Sequence, residues 1–318
     1  MRDFCTDMAA LQNLGFVFVA GLITALATGL GALPFVVVDD FSDRWNVALW
    51  GIASGIMVAA SLFGLVNEGL AYAASGFPAL LVGGLLTGVV LVEVSDRVLD
   101  AVDIGGGDSS QPIEDGGHDH DNSDGPHDHD AAGHDHDDQA HDHDHVIDPE
   151  AFAEGDLKKL VLILGILTVH SFPEGVAVGV SFAELGLDGG FSILGLSVPL
   201  LAVFMTIAIS IHNIPEGTAI AIPMRAMGLS SPRMIGAAVF SSLPQPIGAV
   251  IAFAFVRWAE AFLPFGFGFA AGAMIYLVLT EFIPEAVETG VDLPRHGYDA
   301  LLTGIGAGVL LMIPLLYV

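Results

Sequence analysis

Apolar residues gather into eight long runs, at about 14–37, 46–67, 78–99, 158–182, 192–223, 234–257, 262–286 and 298–317. Each reaches or exceeds the roughly 20 residues that a helix needs to cross a bilayer. The pattern predicts an all-α polytopic membrane protein with eight transmembrane helices. Gly51/Gly55 and Gly84/Gly88 stand at small-xxx-small spacing inside the second and third runs, which predicts close helix packing there. One stretch breaks the alternation. Residues 103–156 are mostly polar, so the chain divides into 1–102 with three helices, a loop at 103–156, and 157–318 with five. The two apolar parts form a single membrane domain.

Composition agrees with this division. Mean hydropathy is +0.68, 53% of residues are hydrophobic, and only 14% are charged, against roughly 25% in a typical soluble chain. The net charge of −28 is localised: 103–156 holds 18 Asp or Glu and no Lys or Arg, leaving 19 acids and 9 bases elsewhere. So acidic a surface excludes nucleic acid as a partner. Orientation follows from the bases that flank the runs, since Lys and Arg favour the cytoplasmic side. With the N-terminus outside, Arg44, Arg97, Lys158, Lys159, Arg225, Arg233 and Arg295 lie inside, and only Arg2 and Arg257 outside. Both termini then face out, and the 103–156 loop is cytoplasmic. The lone Cys5 can form no internal disulfide. The first apolar run is too long for a cleaved signal and follows an acidic start, so it reads as a membrane helix.

The loop contains "HDHDNSDGPHDHDAAGHDHDDQAHDHDH", with nine of the chain's twelve histidines alternating with aspartate. It has almost no apolar residues to bury, which predicts disorder in the absence of metal. Imidazole and carboxylate together are ligands for borderline divalent ions. The alternative is a plain solvated linker.

Two further features lie inside the membrane runs. "HSFPEG" begins at His170 and "HNIPEG" at His212. On a helix, His170 and Glu174 share one face, as do His212 and Glu216. Pro173 and Pro215 lack the N–H that would bond the carbonyl one turn back, and such freed backbone is tolerated where it lines a cavity. Gly175 and Gly217 permit close backbone approach. Ionisable residues inside a membrane are costly and mark ion pathways. Two helices facing each other would bring two His and two Glu to one point, enough for a tetrahedral divalent cation site. The bland alternative is a His–Glu pair that merely ties helices together. "LTEFIPEAVE" repeats the spacing with Glu281 and Glu285 around Pro284, near a helix end where the acids could be interfacial. Glu68, near the outer end of the second helix, reads either as an acid that attracts cations into an entrance or as a plain flank, and Glu93 as a mark of the cytoplasmic boundary.

These residues resemble the Zrt/Irt-like (ZIP) divalent metal transporters, and most closely their prokaryotic GufA-like branch. The likeness rests on "GLITALATGLGALP", "GIASGIMVAAS", "HSFPEG" and "HNIPEG". It implies a 3+2+3 inverted repeat, with helices one to three echoed by six to eight around a central pair. It also implies a possible homodimer. Carried over by motif, it implies His170, Glu174, His212 and Glu216 as metal ligands, with Ser171 and Asn213 contributing to an adjacent second position. Met57 aligns with a soft ligand and Glu281 with an acid of the seventh helix. The family often carries a glutamate in "SSLPQPIGAV", where this chain has Gln245. A neutral amide there implies one good metal position with a poor neighbour.

The expectation is therefore a multi-pass cell-membrane transporter that moves zinc, or cadmium, iron, cobalt or manganese, into the cytoplasm. It needs no prosthetic group. Its ligands must be deprotonated to bind, so transport should respond to pH. Export is the rival direction. An intramembrane hydrolase would need a His-Glu-x-x-His spacing that is absent, and a metal sensor would need an output domain.

Overall fold

The computed structural model describes residues 2–37, 42–72, 78–104, 157–187 and 190–317. The His/Asp-rich loop, with every expectation placed on it, lies outside the described residues. Among them the architecture is helical: α1 Arg2–Gly31, α2 Asp43–Ala59, α3 Asn67–Tyr72, α4 Ala79–Ile104, α5 Leu157–Ser181, α6 Leu200–Ala226, α7 Ser231–Ser241, α8 Pro244–Trp258, α9 Leu263–Leu277, α10 Ile283–Thr289 and α11 Tyr298–Met312. Within the described residues, seven stretches are long and apolar enough to cross a membrane: Ala10–Gly31, Asp43–Tyr72, Ala79–Val98, Leu200–Ala226, Ser231–Trp258, Glu260–Thr289 and Pro294–Leu316. Helix α5, 25 residues long, occupies the place expected for the fourth span.

One boundary differs from expectation. The fifth span begins at Leu200, because Phe191–Ile193 (β1) and Leu196–Val198 (β2) form an antiparallel hairpin. Its two turn residues, Leu194 and Gly195, both have positive φ, which matches the right-handed twist of the flanking strands.

The helices pack in two groups. Helices α2, α3, α4, α9, α10 and α11 form one, in which α4 lies along α9 and α2 along α11. Helices α1, α5, α6, α7 and α8 form the other, where α5 lies along α8 and α1 along α6. Exchanging the first span for the sixth, the second for the seventh, the third for the eighth and the fourth for the fifth maps each of these pairs onto another. The π-helical turns follow the same exchange: Ala60–Val66 joins α2 to α3, and Val278–Phe282 joins α9 to α10. These are the packing relations of an inverted repeat.

Glycine sets the closest approaches. A Cβ at Gly55 would strike the backbone of Ile305, and one at Gly308 the Ile52 carbonyl. Gly84 and Gly88 meet the carbonyls of Phe265 and Phe269, while Gly268 and Gly272 meet those of Leu81 and Leu85. The small residues read from the sequence as packing features therefore make the two long seams of the first group. Outward-facing Leu86, Val90 and Val94 on α4, and Leu302 and Leu310 on α11, remain exposed. Lipid covers such faces in a multi-pass membrane protein.

Candidate metal centre

Both six-residue motifs lie on uninterrupted helices, with Pro173 inside α5 and Pro215 inside α6. Their glycines place neighbouring helices. A Cβ on Gly175 would collide with the Gln245 carbonyl, and one on Gly217 with the Thr28 carbonyl. Helix α8 thus presses on the first motif and α1 on the second. The site is walled by backbone at contact distance.

Glu174, His212 and Glu216 are all buried, and one ligand atom from each falls within 4.8 Å of the others. His212 Nε2 stands 2.9 Å from Glu174 Oε1. The His212 ring stacks on Phe282, with centroids 5.0 Å apart, and Phe282 sits 5.0 Å from Trp50. Phe282 belongs to the π-helical turn, a feature that often marks functional positions. An imidazole and two carboxylates in an apolar wall are a donor set suited to zinc and other borderline ions.

His170 is not part of this trio. It joins Asp96 and Glu281 in a second group whose ligand atoms also lie within 4.8 Å of one another. His170 Nε2 is 3.0 Å from Asp96 Oδ1, and its Nδ1 is 3.2 Å from Glu281 Oε2, near enough for attraction but not aligned as a hydrogen bond. The single four-ligand point expected from the two motifs is therefore divided. Three of its members gather in one cluster, and the fourth turns along α5 towards α4 and the α9–α10 turn.

The remaining expected residues fall around these groups. Gln245 Nε2 donates to Glu174 Oε2 at 2.6 Å, and Gln245 Oε1 accepts from Asn213 Nδ2 at 3.0 Å. Asn213 Nδ2 also donates to the Thr24 carbonyl at 2.7 Å. Both amide nitrogens thus donate to oxygens, and Gln245 Oε1 is taken up by Asn213. Ser171 is fully buried, and its Oγ has no hydrogen-bond partner, nor do Asn213 Oδ1 and Glu216 Oε2. Leaving buried oxygens unsatisfied costs about 1–3 kcal/mol each, so this cluster is built for an occupant. Met57 is buried on α2 within the apolar core. Glu285 lies on α10, beyond both metal-type groups.

Asp96 is the residue that the sequence reading missed. It sits on α4 among Glu93, Arg97 and the loop, where an acid looks like an ordinary boundary charge. Glu93, read as such a boundary, accepts hydrogen bonds from Tyr276 on α9 and from Arg97, the latter at 2.6 Å. At the other end, Tyr72 donates to Glu184, joining α3 to the turn that follows α5.

Comparison with known proteins shows the family of the chain. The pattern of the family described as ZIP zinc transporter matches residues 14–313. The chain is 28% identical over 297 residues to the zinc transporter GufA of Myxococcus xanthus, covering 92% of this chain and 95% of that one. It is 30% identical over 301 residues to the zinc transporter ZIPB of Bordetella bronchiseptica, covering 94% and 80%. A protein of Arabidopsis thaliana with a provisional zinc-transporter name is 33% identical over 265 residues, which cover 83% of this chain but 33% of that longer protein.

Proposed function

The chain belongs to the family of ZIP zinc transporters, and from that premise we propose that it moves zinc or a similar divalent ion towards the cytoplasm through Glu174, His212 and Glu216. One observation carries the site. Three buried ligand-type side chains from two helices converge beside oxygens that have no partner. The ion exchanges part of its water shell for the two carboxylates and the imidazole. Asp96, His170 and Glu281 then offer a second set of donors one helical turn along α5. Asp96 stands near the end of α4 that leads to the 103–156 segment, so passage from the first group to the second runs towards that side. The inward direction rests on the distribution of basic flanks, which puts that segment in the cytoplasm.

The reading requires the halves of the molecule to exchange access. His170 belongs to one helix group, and its partners Asp96 and Glu281 belong to the other. A contact of this kind must break and reform if one bundle moves against the other.

Radiolabelled zinc uptake into proteoliposomes tests the proposal. His212→Ala and Glu216→Gln should each lower uptake about 100-fold, because each removes a direct ligand in a dry site. Uptake at the wild-type rate in both variants would remove this cluster from the pathway. Zinc leaving inside-filled vesicles of defined orientation, with no inward flux, would reverse the direction.

A further inference from the structure

Two consecutive residues of the π-helical turn Val278–Phe282 reach the two motif histidines. Glu281 Oε2 lies 3.2 Å from His170 Nδ1. The Phe282 ring stacks on the imidazole of His212, with centroids 5.0 Å apart and planes at 25°. Trp50 on α2 also packs on Phe282, at 5.0 Å and 49°. All three rings are withdrawn from the surface: His212 is fully buried, and Phe282 and Trp50 are 4% exposed. The rings come from both helix groups. His212 stands on α6, whereas Phe282 leads into α10 and Trp50 lies on α2.

The stack matters because of what His212 lacks. A metal-binding imidazole is ordinarily oriented by a hydrogen bond from its second nitrogen to a carboxylate or carbonyl. His212 places Nε2 2.9 Å from Glu174 Oε1, and its Nδ1 is buried with no hydrogen-bond partner among the described residues. The plane of the ring is therefore left to whatever packs on its face, and Phe282 packs there. Resting on the transport reading given above, we propose that Phe282 is a positioning residue for His212: its ring, braced by Trp50, holds the imidazole with Nε2 turned to Glu174. The hold comes from the helix group against which α6 must move. When the groups part, His212 loses its orienting face and binds the ion less tightly, so release follows the motion.

Phe282→Leu keeps apolar bulk but offers no flat face. Phe282→Met does the same and is made beside it, so that one well-folded variant suffices. Each full-length protein is first checked for a single symmetric gel-filtration peak, and zinc uptake into proteoliposomes is then resolved into KM and kcat. We expect KM to rise about tenfold with kcat changed less than about twofold, the scale of loss when the group that orients a metal ligand is removed. Damage to the fold alone would cut the amount of active protein, lowering kcat and leaving KM in place. A cycle with His212→Ala isolates the route. Once the imidazole is gone, adding Phe282→Leu should change the residual uptake less than about twofold.

An unchanged KM in the folded Phe282 variants overturns the proposal, as does a loss confined to kcat. A further loss of about tenfold when Phe282→Leu is added to His212→Ala also overturns it, since Phe282 would then act on the site by another route. Normal uptake by His212→Ala removes the transport site and the positioning role together. If His212→Ala loses uptake while both Phe282 variants match the wild type, only the positioning role falls.

Discussion

Single side chains in this molecule act through which neighbour they reach. His170 and Glu174 share a helix face, yet one turns to Asp96 and Glu281 and the other to His212 and Gln245. The pairing of His170 with Asp96 gives it a role that depends on an acid from another helix. Asp96→Asn keeps a hydrogen-bonding group but removes the charge from this second group. We expect zinc uptake to fall about tenfold, a smaller loss than for Glu216→Gln, because Asp96 adjoins the pathway without joining the buried trio. A concentration series of uptake measures it; a loss as deep as that of Glu216→Gln would merge the two groups into one site. The sequence disclosed the trio through its repeated motif, because costly residues in apolar runs stand out. Asp96 was hidden for the opposite reason. A carboxylate near a helix end, one position before Arg97, carries no visible penalty, and its use appears only when α5 and α9 bring His170 and Glu281 to it.

Helices were legible because their apolar runs have the length of a bilayer. The place where reading failed is instructive. "FSILGLSV" is apolar enough to extend the fifth run, and only a turn at Leu194–Gly195 makes it a hairpin. Hydrophobicity counts carry no information on φ. Glycine spacing, in contrast, forecast the seams, since a residue without a Cβ is what lets backbones touch. Gly55→Ala places a methyl group against the Ile305 backbone across the α2–α11 seam. It should destabilise the detergent-solubilised protein by about 1–3 kcal/mol, as overpacking does. Gly83→Ala is the matched control, because a Cβ there meets nothing within 4 Å. Thermal melts of the two variants decide the matter: equal midpoints would mean that the seam can relax.

At the scale of the whole molecule, the two helix groups touch through polar contacts near both ends. Tyr72 binds Glu184 at one end, and His170 meets Asp96 and Glu281 nearer the other. Motion of one group against the other has to part the Tyr72–Glu184 contact when the far side opens. Tyr72→Cys with Glu184→Cys, in a Cys5→Ser background, should therefore lose zinc uptake when oxidised and regain it on reduction. Full uptake in the oxidised double variant would show that this end stays closed through the cycle. Each group is joined inside by backbone-close glycine seams, whereas the two meet through side chains, among them the apolar contacts of Gly64 with Leu201 and of Gly266 with Val180.

Those same seams reach across the chain as well as across the fold. Helix α4 is synthesised long before α9, and α2 long before α11, so neither seam can close until the last spans have left the ribosome. Until then Asp96 waits in the bilayer for Glu281, and the seam glycines Gly55, Gly84 and Gly88 have no partners. A chain halted after α8 would hold every ligand of the buried trio and lack α9, α10 and α11, which complete the group it must move against. The fold of this transporter is therefore completed only by its last two spans.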